Sequence, residues 1–238
     1  IVSSEGVAAE NRQSFCLTYL TAHAARDENR QSGLGFTLGR DPSALQPRQA
    51  GIEAASKARV LLGASPCPTG RYTVVLTPEV AAAFLAAVAG ALSADAVQKG
   101  RSVFAGRLGE QVAATRLRLW DDGLAAGGLE TAPFDGEGVP GQHTPLIEDG
   151  LLRSYLYDSY TARKAGPDVA STGNGGRGSY RSLPAVGLSN LVLSAGEGSS
   201  AELLRRVGSG LLVESVAGIH SGINPATGEI SVGLVGRL

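Results

Sequence analysis

An apolar run from Val80 to Leu92 constrains the fold of this chain more than any other segment. Thr77-Pro78-Glu79 precedes it and is typical of a helix start, because threonine caps, proline fits the first helical position and an acid suits the first turn. A helix that is apolar on nearly every face is buried on all sides. The run is too short to cross a bilayer. We therefore expect one buried helix, Pro78 to Leu92, inside a globular domain.

The charges of the chain nearly balance, with 21 Lys and Arg against 22 Asp and Glu and a net charge of −1. This balance removes the electrostatic case for nucleic acid or an anionic membrane as the main partner. Glycine makes up 33 of the 238 residues, about twice the usual share, which indicates many turns between short strands. The two cysteines, Cys16 and Cys67, are too few for a disulfide framework, so we expect a cytoplasmic location.

The first seventy residues predict a small region of strands and one helix. Phe15 to Tyr19 and Leu34 to Leu38 alternate apolar with other residues, which favours two short strands. A helix is predicted after Pro47, and its apolar stripe is expected at residues spaced three or four apart. These residues are Ile52, Ala55, Ala58, Leu61 and Leu62. Ala64 to Gly70 contains two prolines and is the candidate domain boundary.

Beyond residue 71 the pattern indicates mostly strands. Asp149-Gly150 separates two apolar segments and predicts a hairpin, and Ser199-x-x-Glu202 is a capping box that opens a short helix. We therefore predict an α+β fold of mostly antiparallel strands with one buried helix and a few short helices. We expect residues 1–70 to be the tail of a preceding domain, followed by a β-rich domain, residues 71–238, that is truncated at its end. The sequence lacks methionine and opens on Ile1, so we expect a piece of a longer protein.

Motifs for metal binding or nucleophilic catalysis do not stand out in the sequence. The histidines, His23, His143 and His220, are far apart, and their spacing does not match that of zinc ligands on one element. Cys67 has no neighbouring base in sequence that would lower its pKa. We expect each histidine to be a solvated or hydrogen-bonded single residue.

Two further patterns admit a functional and a structural interpretation. Gly173 to Gly178 matches GxGxxG, but a dinucleotide site needs a strand before the glycines and a helix after them, and neither is predicted. These glycines more readily let a loop pass close to another backbone or to an extended peptide.

Acids pair at Asp121-Asp122 and at Asp135-Gly136-Glu137, where they could act as general acid and base. Beside glycine-rich turns, such acids are more often solvated turn residues.

A series of short motifs from about Tyr72 to Val235 resembles the TldD/PmbA metallopeptidase family in order and approximate spacing. The motifs are Gly100-Arg-Ser-Val-Phe-Ala-Gly106, Leu108-Gly109-Glu110-x-Val112-Ala113, Trp120-Asp121-Asp122-Gly123, Phe134-Asp135-x-Glu137-Gly138-x-Pro140, Leu146-Ile147-Glu148-x-Gly150, Tyr155-Leu156-x-Asp158, Thr161-Ala162, Thr172-Gly173-Asn174, Pro184, Asn190, Gly210-Leu211-Leu212 and Asn224-x-x-Thr227-Gly228. The first seventy residues resemble the end of the family's N-terminal domain more loosely.

The resemblance also implies which kind of subunit this is. One type in the family carries HExxxH on a helix, where two histidines hold a metal and the glutamate is placed as general base; the other type lacks the motif and pairs with the first. The spacing places the three functional positions on Leu85, Ala86 and Gly90, none of which can bind a metal or move a proton. The resemblance is therefore to the TldE/PmbA-type subunit, with no cofactor in this chain and zinc expected in an HExxxH-bearing homologue.

Three functions follow from these observations. The resemblance implies the metal-free subunit of a TldD/TldE-type metallopeptidase complex that degrades unstructured peptides and is non-catalytic alone. A peptide-binding or regulatory protein of the DNA gyrase modulator type is the second, with a homodimer as the alternative assembly. A hydrolase that uses Asp122 and Glu137 is the third. Polar residues on glycine-rich loops suit contacts to a peptide main chain, so Asn174, Arg177 and Asn190 are the candidate peptide-binding residues.

Overall fold

The computed structural model describes residues 1–4 and 6–238, which divide into two compact units. The first unit is Asn11–Gly70, and the second combines Ile1–Glu10 with Arg71–Leu238. The sequence predicts one region from residue 1 to residue 70, whereas the structure packs the first ten residues with the second unit. In this unit the side chain of Val7 lies against Gly138, a contact between residues 131 positions apart that local sequence patterns do not predict.

The first unit is a long hairpin with one helix. Strand β1 (Cys16–Arg26) pairs antiparallel with β2 (Asn29–Gly39), and helix α1 (Pro47–Val60) packs on one face of the pair. The strands are longer than the apolar alternation predicts, because the pairing continues through a polar stretch to a two-residue turn. Asp27 adopts a left-handed φ of 53° in this turn, as tight hairpins require.

Small residues line the contact between the hairpin and α1. The buried residues of 11–70 are Gly33, Gly35, Ala50, Ala54 and Ala58. A Cβ at position 35 would overlap the carbonyl oxygen of Ala50, so only glycine permits this approach. The predicted stripe of α1 is right at Ala58 and wrong at Ile52 and Ala55, because a surface of glycines admits alanines and leaves Ile52 54% exposed. Leu61 and Leu62 are half-buried just beyond the helix.

The second unit is built from short strands and short helices. Its elements in chain order are β3 (Val74–Leu76), α2 (Pro78–Ala89), α3 (Ala94–Gln98), β4 (Leu119–Asp122), β5 (His143–Glu148), β6 (Leu151–Leu152), α4 (Ser159–Ala165), β7 (Gly175–Gly176), β8 (Ala185–Val186), β9 (Leu191–Leu193), α5 (Ser200–Val207), β10 (Leu211–Ala217), α6 (Ile219–Gly222), β11 (Ile223–Asn224), β12 (Glu229–Ile230) and β13 (Gly233–Arg237). The predicted hairpin at Asp149-Gly150 and the capping box of α5 are confirmed.

The strands of the second unit form separate small sheets. A four-stranded sheet in the order β6-β5-β4-β9 is antiparallel throughout. A three-stranded sheet, β13-β10-β3, contains one antiparallel and one parallel pair, and β7-β8 and β11-β12 are two-stranded. The fold is α+β with mostly antiparallel strands, as the sequence predicts.

The main core joins the four-stranded sheet to the segment that follows α2. Leu92, Leu146, Leu152 and Leu156 are fully or almost fully buried there. Helix α2 is only partly buried: β3, β10 and α6 contact it and Val80 and Ala89 are buried, but Ala82 and Ala86 are exposed. The expectation of a helix buried on all sides is therefore not met within residues 1–4 and 6–238. An apolar helix can be buried with little loss of hydration free energy, but the neighbouring elements decide which of its faces are covered.

Candidate functional site

Glycine-rich loops of the second unit enclose a cleft of about 150 Å³. Its walls come from three stretches of the chain, residues 123–141, 173–176 and 187–189. The first stretch begins directly after β4, the second contains β7, and the third follows β8. The cleft therefore depends on contacts that hold three distant loops together.

A buried carboxylate ties two of these loops to β4. Successive residues of a strand point to opposite faces, so Asp121 faces inward, with 1% of its surface exposed. The side-chain amide of Asn174 donates to Asp121 Oδ2 at 2.7 Å, and the backbone N–H of Ser189 donates to Oδ1 at 3.0 Å. The Ser189 hydroxyl also donates to Oδ2. These donors offset the cost of burying the carboxylate.

A second carboxylate shapes the opposite wall. Asp135 Oδ1 accepts hydrogen bonds from the backbone N–H groups of Glu137 and Val139 at 2.9 and 3.0 Å. Its other oxygen accepts from the Gly175 N–H at 2.7 Å and so fixes β7 against the turn. A Cβ at position 175 would lie 2.5 Å from Glu137 Oε2, which explains the glycine at this point.

The remaining acids also serve the backbone. Glu137 Oε2 accepts from the Ser159 N–H at 2.7 Å, in the first turn of α4, where a negative charge is favourable. Asp122 Oδ1 accepts from the Leu124 N–H at 2.9 Å, and its Oδ2 lies 3.4 Å from Nδ1 of the exposed His143. The two acids of each sequence pair thus accept hydrogen bonds from different groups of the protein. This arrangement favours binding over acid–base chemistry in the cleft.

The structure places the three predicted peptide-binding residues around the same loops. Asn174 lines the cleft, but its amide is engaged with Asp121 and with the Gly187 carbonyl at 3.0 Å. Asn190 donates to the Asp122 carbonyl at 2.7 Å and accepts from the Glu130 N–H at 3.1 Å.

The third of these residues, Arg177, is exposed. Its Nε donates to the Gly136 carbonyl and its Nη1 to the Ser182 carbonyl, each at 2.7 Å. All three side chains thus stabilise the loops, and their contact with a peptide stays a prediction. No motif in the sequence points to Ser189, and the inward position of Asp121 follows from its place in β4.

The three positions of the degenerate metal motif lie at the end of α2. Leu85 packs against the main core, whereas Ala86 and Gly90 are exposed. None of these side chains offers a donor atom, so a zinc ion does not fit here. Among residues 1–4 and 6–238, no group of three or more His, Cys, Asp or Glu side chains is arranged to hold a metal. No helix in this described part has the length and apolar character of a membrane span.

Comparison with known proteins places this geometry in a family. Residues 69–238 match the PmbA/TldA metallopeptidase C-terminal domain. A metalloprotease of Methanocaldococcus jannaschii is 34% identical over 218 residues, which are 90% of this chain and 48% of that protein. A crystal structure of a candidate modulator of a DNA gyrase from Thermotoga maritima is 35% identical with a TM-score of 0.81, over 92% of this chain and 49% of that one.

A structure of TldE from Thermococcus kodakarensis shares the fold, with a TM-score of 0.76 at 22% identity over 94% of this chain and 54% of that one. The chain spans about half the length of the curated relatives it matches. The domain match covers most of the chain, and it includes the ordered motif series between Gly100 and Gly228. The chain therefore belongs to the TldD/PmbA metallopeptidase family.

Proposed function

We propose that this chain is the metal-free subunit of a TldD/TldE-type metallopeptidase complex that degrades unstructured peptides. The observation that carries the proposal is the end of α2, where the family's metal motif would lie. Leu85, Ala86 and Gly90 occupy the ligand and base positions, and none of them can bind zinc or accept a proton. The chain combines the fold of a peptidase family with side chains that cannot bind zinc at the motif positions, and this combination suits a non-catalytic partner subunit.

The cleft supports a role in peptide handling. Its walls are glycine-rich loops, and the strands β7 and β8 beside it are only two residues long. Short strand edges and glycine backbone offer main-chain hydrogen bonds to an extended peptide, the mode of recognition known as β-augmentation. The carboxylates of the cleft hold the loops in place and leave catalysis to a metal-bearing partner.

The proposal assigns zinc to an HExxxH-bearing homologue from the same genome. Coexpression of the two proteins should give a complex that cleaves unfolded peptides, with zinc in the homologue and none in stoichiometric amount in this chain. Metal analysis of the separated subunits and peptide cleavage by each subunit alone are the controls. If the two proteins do not associate, and the homologue cleaves equally well alone, the proposal is wrong.

A regulatory binding protein without a peptidase role is the second candidate. It is favoured by the description of the Thermotoga maritima relative as a candidate modulator of a DNA gyrase. The net charge of −1 argues against direct contact with DNA, so such a protein would act through a protein partner. Stable binding to a folded protein target, with no peptide cleavage in any mixture, would support this second function.

A further inference from the structure

A second cavity, of about 440 Å³, lies beyond the turn that forms one wall of the cleft. Gly136 lines the cleft and its neighbour Glu137 lines the cavity, so consecutive residues separate the two spaces. Helices α3 and α4 contribute further lining residues, as does the segment 183–186, which contains β8. Its volume is within the range of small-ligand pockets, roughly 300–1,000 Å³.

The charges in this cavity are predominantly negative. Asp95, Glu137 and Asp158 line it together with a single cation, Lys99. Lys99 Nζ is paired with Asp95 at 2.8 Å, and Asp158 accepts hydrogen bonds from Thr161 as the cap of α4. Among the residues that the structure describes, Glu137 and Asp158 have no cationic partner in the cavity.

Glu137 is the carboxylate placed to meet a ligand. Its Oε2 accepts one backbone hydrogen bond, and within residues 1–4 and 6–238 it forms no ion pair. Arg177 lies against the adjacent residue, Gly136, but directs its guanidinium to the carbonyls of Gly136 and Ser182 instead. A cation entering the cavity would thus supply the partner that Glu137 lacks.

Part of the cavity lining is apolar. Leu183 and Tyr160 are 87% and 65% exposed, and Pro184 and Val186 are half-buried. Exposed apolar surface that shares a cavity with the half-buried Glu137 matches a side chain with a hydrocarbon stem and a charged head. The Tyr160 ring can also attract a cation through its face.

We infer that this cavity binds a lysine or arginine side chain of the peptide that lies over the cleft. The stem would contact Leu183 and Val186, and the charged head would reach Glu137. The inference rests on the proposed function, since it names the peptide chemistry that the same region selects. Because Gly136 and Glu137 are neighbours, a main chain held at the cleft is within side-chain reach of the cavity.

Binding of labelled, unstructured peptides tests the inference. Three peptides would differ at one position, which carries lysine, norleucine or glutamate, and fluorescence anisotropy would measure their affinity for this chain and for its complex with the HExxxH homologue. We expect the lysine peptide to bind about fivefold more tightly than the norleucine peptide, the size of a partly exposed charge pair. The difference should shrink as salt is raised.

Variants locate the effect within the cavity. Glu137→Gln keeps an acceptor for the Ser159 N–H and should remove the preference for lysine, whereas Glu148→Gln, at a carboxylate outside both cavities, should not change it. Lys99→Gln removes the cation of the cavity and should increase the preference. Leu183→Ser should lower the affinity for the lysine peptide and for the norleucine peptide by the same factor.

The outcomes separate the inference from the proposed function. Equal affinity for the lysine and norleucine peptides would overturn the inference alone, as would a preference that survives Glu137→Gln in a folded variant. If Glu137→Gln does not fold, an unchanged preference in Lys99→Gln would overturn it. Failure of both the chain and the complex to bind any of the peptides would instead overturn the peptide-handling role itself.

Discussion

The two units of this chain bury different kinds of side chain. In residues 11–70 the buried positions are glycines and alanines, and the large apolar side chains of the hairpin, such as Leu17 and Phe36, face outward. In the second unit the buried positions include Leu146 and Leu152 together with polar residues such as Asp121. One unit relies on close backbone approach, and the other on side-chain packing and internal hydrogen bonds.

This difference shows what apolar periodicity can and cannot reveal. Alternation in β1 and β2 correctly indicates that Leu17 and Tyr19 share a face of the hairpin. It does not reveal that α1 packs on the opposite face, where Gly33 and Gly35 lie. The glycines carry that information, because they mark where another backbone approaches.

Truncation of a core leucine should have the largest effect. Leu146→Ala removes a side chain with 0% of its surface exposed, and we expect a loss of about 2–5 kcal/mol in the free energy of unfolding. Leu17→Ala, at a side chain 47% exposed, should change stability by less than about 0.5 kcal/mol. Urea denaturation followed by circular dichroism measures both. Equal losses would show that the outer face of the hairpin is as tightly packed as the core.

A methyl group at the hairpin–helix contact should rank second. Gly35→Ala places a Cβ on the Ala50 carbonyl, and overpacking against backbone should cost about 3 kcal/mol. Gly51 is also in this unit, in α1, but a Cβ at this position would meet open space. Gly51→Ala should therefore stabilise α1 by about 0.5–1 kcal/mol. Hydrogen exchange of the amides in β1, β2 and α1 reports the change. Unaltered protection in Gly35→Ala would contradict the close-approach model of this unit.

Neutralising the buried carboxylate should have a smaller effect. Asp121→Asn keeps the shape but replaces an acceptor with a donor toward Asn174 and Ser189, at a cost of about 2 kcal/mol. Asp122→Asn retains an acceptor for the Leu124 N–H and should cost less than about 1 kcal/mol. Fluorescence of Trp120, the single tryptophan, follows unfolding of the second unit. Similar losses in the two variants would mean that Asp121 does not organise the cleft.

The smallest effect concerns a buried tyrosine and depends on pH. Burial raises the pKa of Tyr155, whose hydroxyl donates to the Phe104 carbonyl at 2.7 Å. A raised pKa means that the folded state favours the neutral phenol, so this stabilisation is complete below about pH 10 and is lost as the pH rises through the folded-state pKa. Tyr155→Phe should cost about 1 kcal/mol at neutral pH and reduce the alkaline loss of stability. Tyr160→Phe is the control for loss of an exposed hydroxyl, since this side chain is 65% exposed and the change should cost less than about 0.5 kcal/mol at neutral pH.

Local signals predicted much of the fold and part of the candidate site. Asp149-Gly150 adopts the left-handed φ angles that its hairpin turn requires. Ser199 and Glu202 cap α5, because the side chain of each accepts a hydrogen bond from the backbone N–H of the other. Such features depend on neighbours a few residues away, so the sequence contains them directly. The stripe of α1 and the burial of α2 depend on surfaces far along the chain, and they were predicted incorrectly. Ser189 was missed because it contacts Asp121 across 68 residues.

The sequence by itself determined the α+β class, the family and the absence of donor atoms at Leu85, Ala86 and Gly90, because these follow from residue types in order. Only the tertiary structure decided which face of each element is covered, which acids serve the backbone and where Glu137 meets a cavity. Those properties arise from contacts between residues such as Glu137 and Ser159, which approach only after the loops have closed. Residue order specifies the chemistry that is present, and packing specifies which of it remains accessible to a peptide.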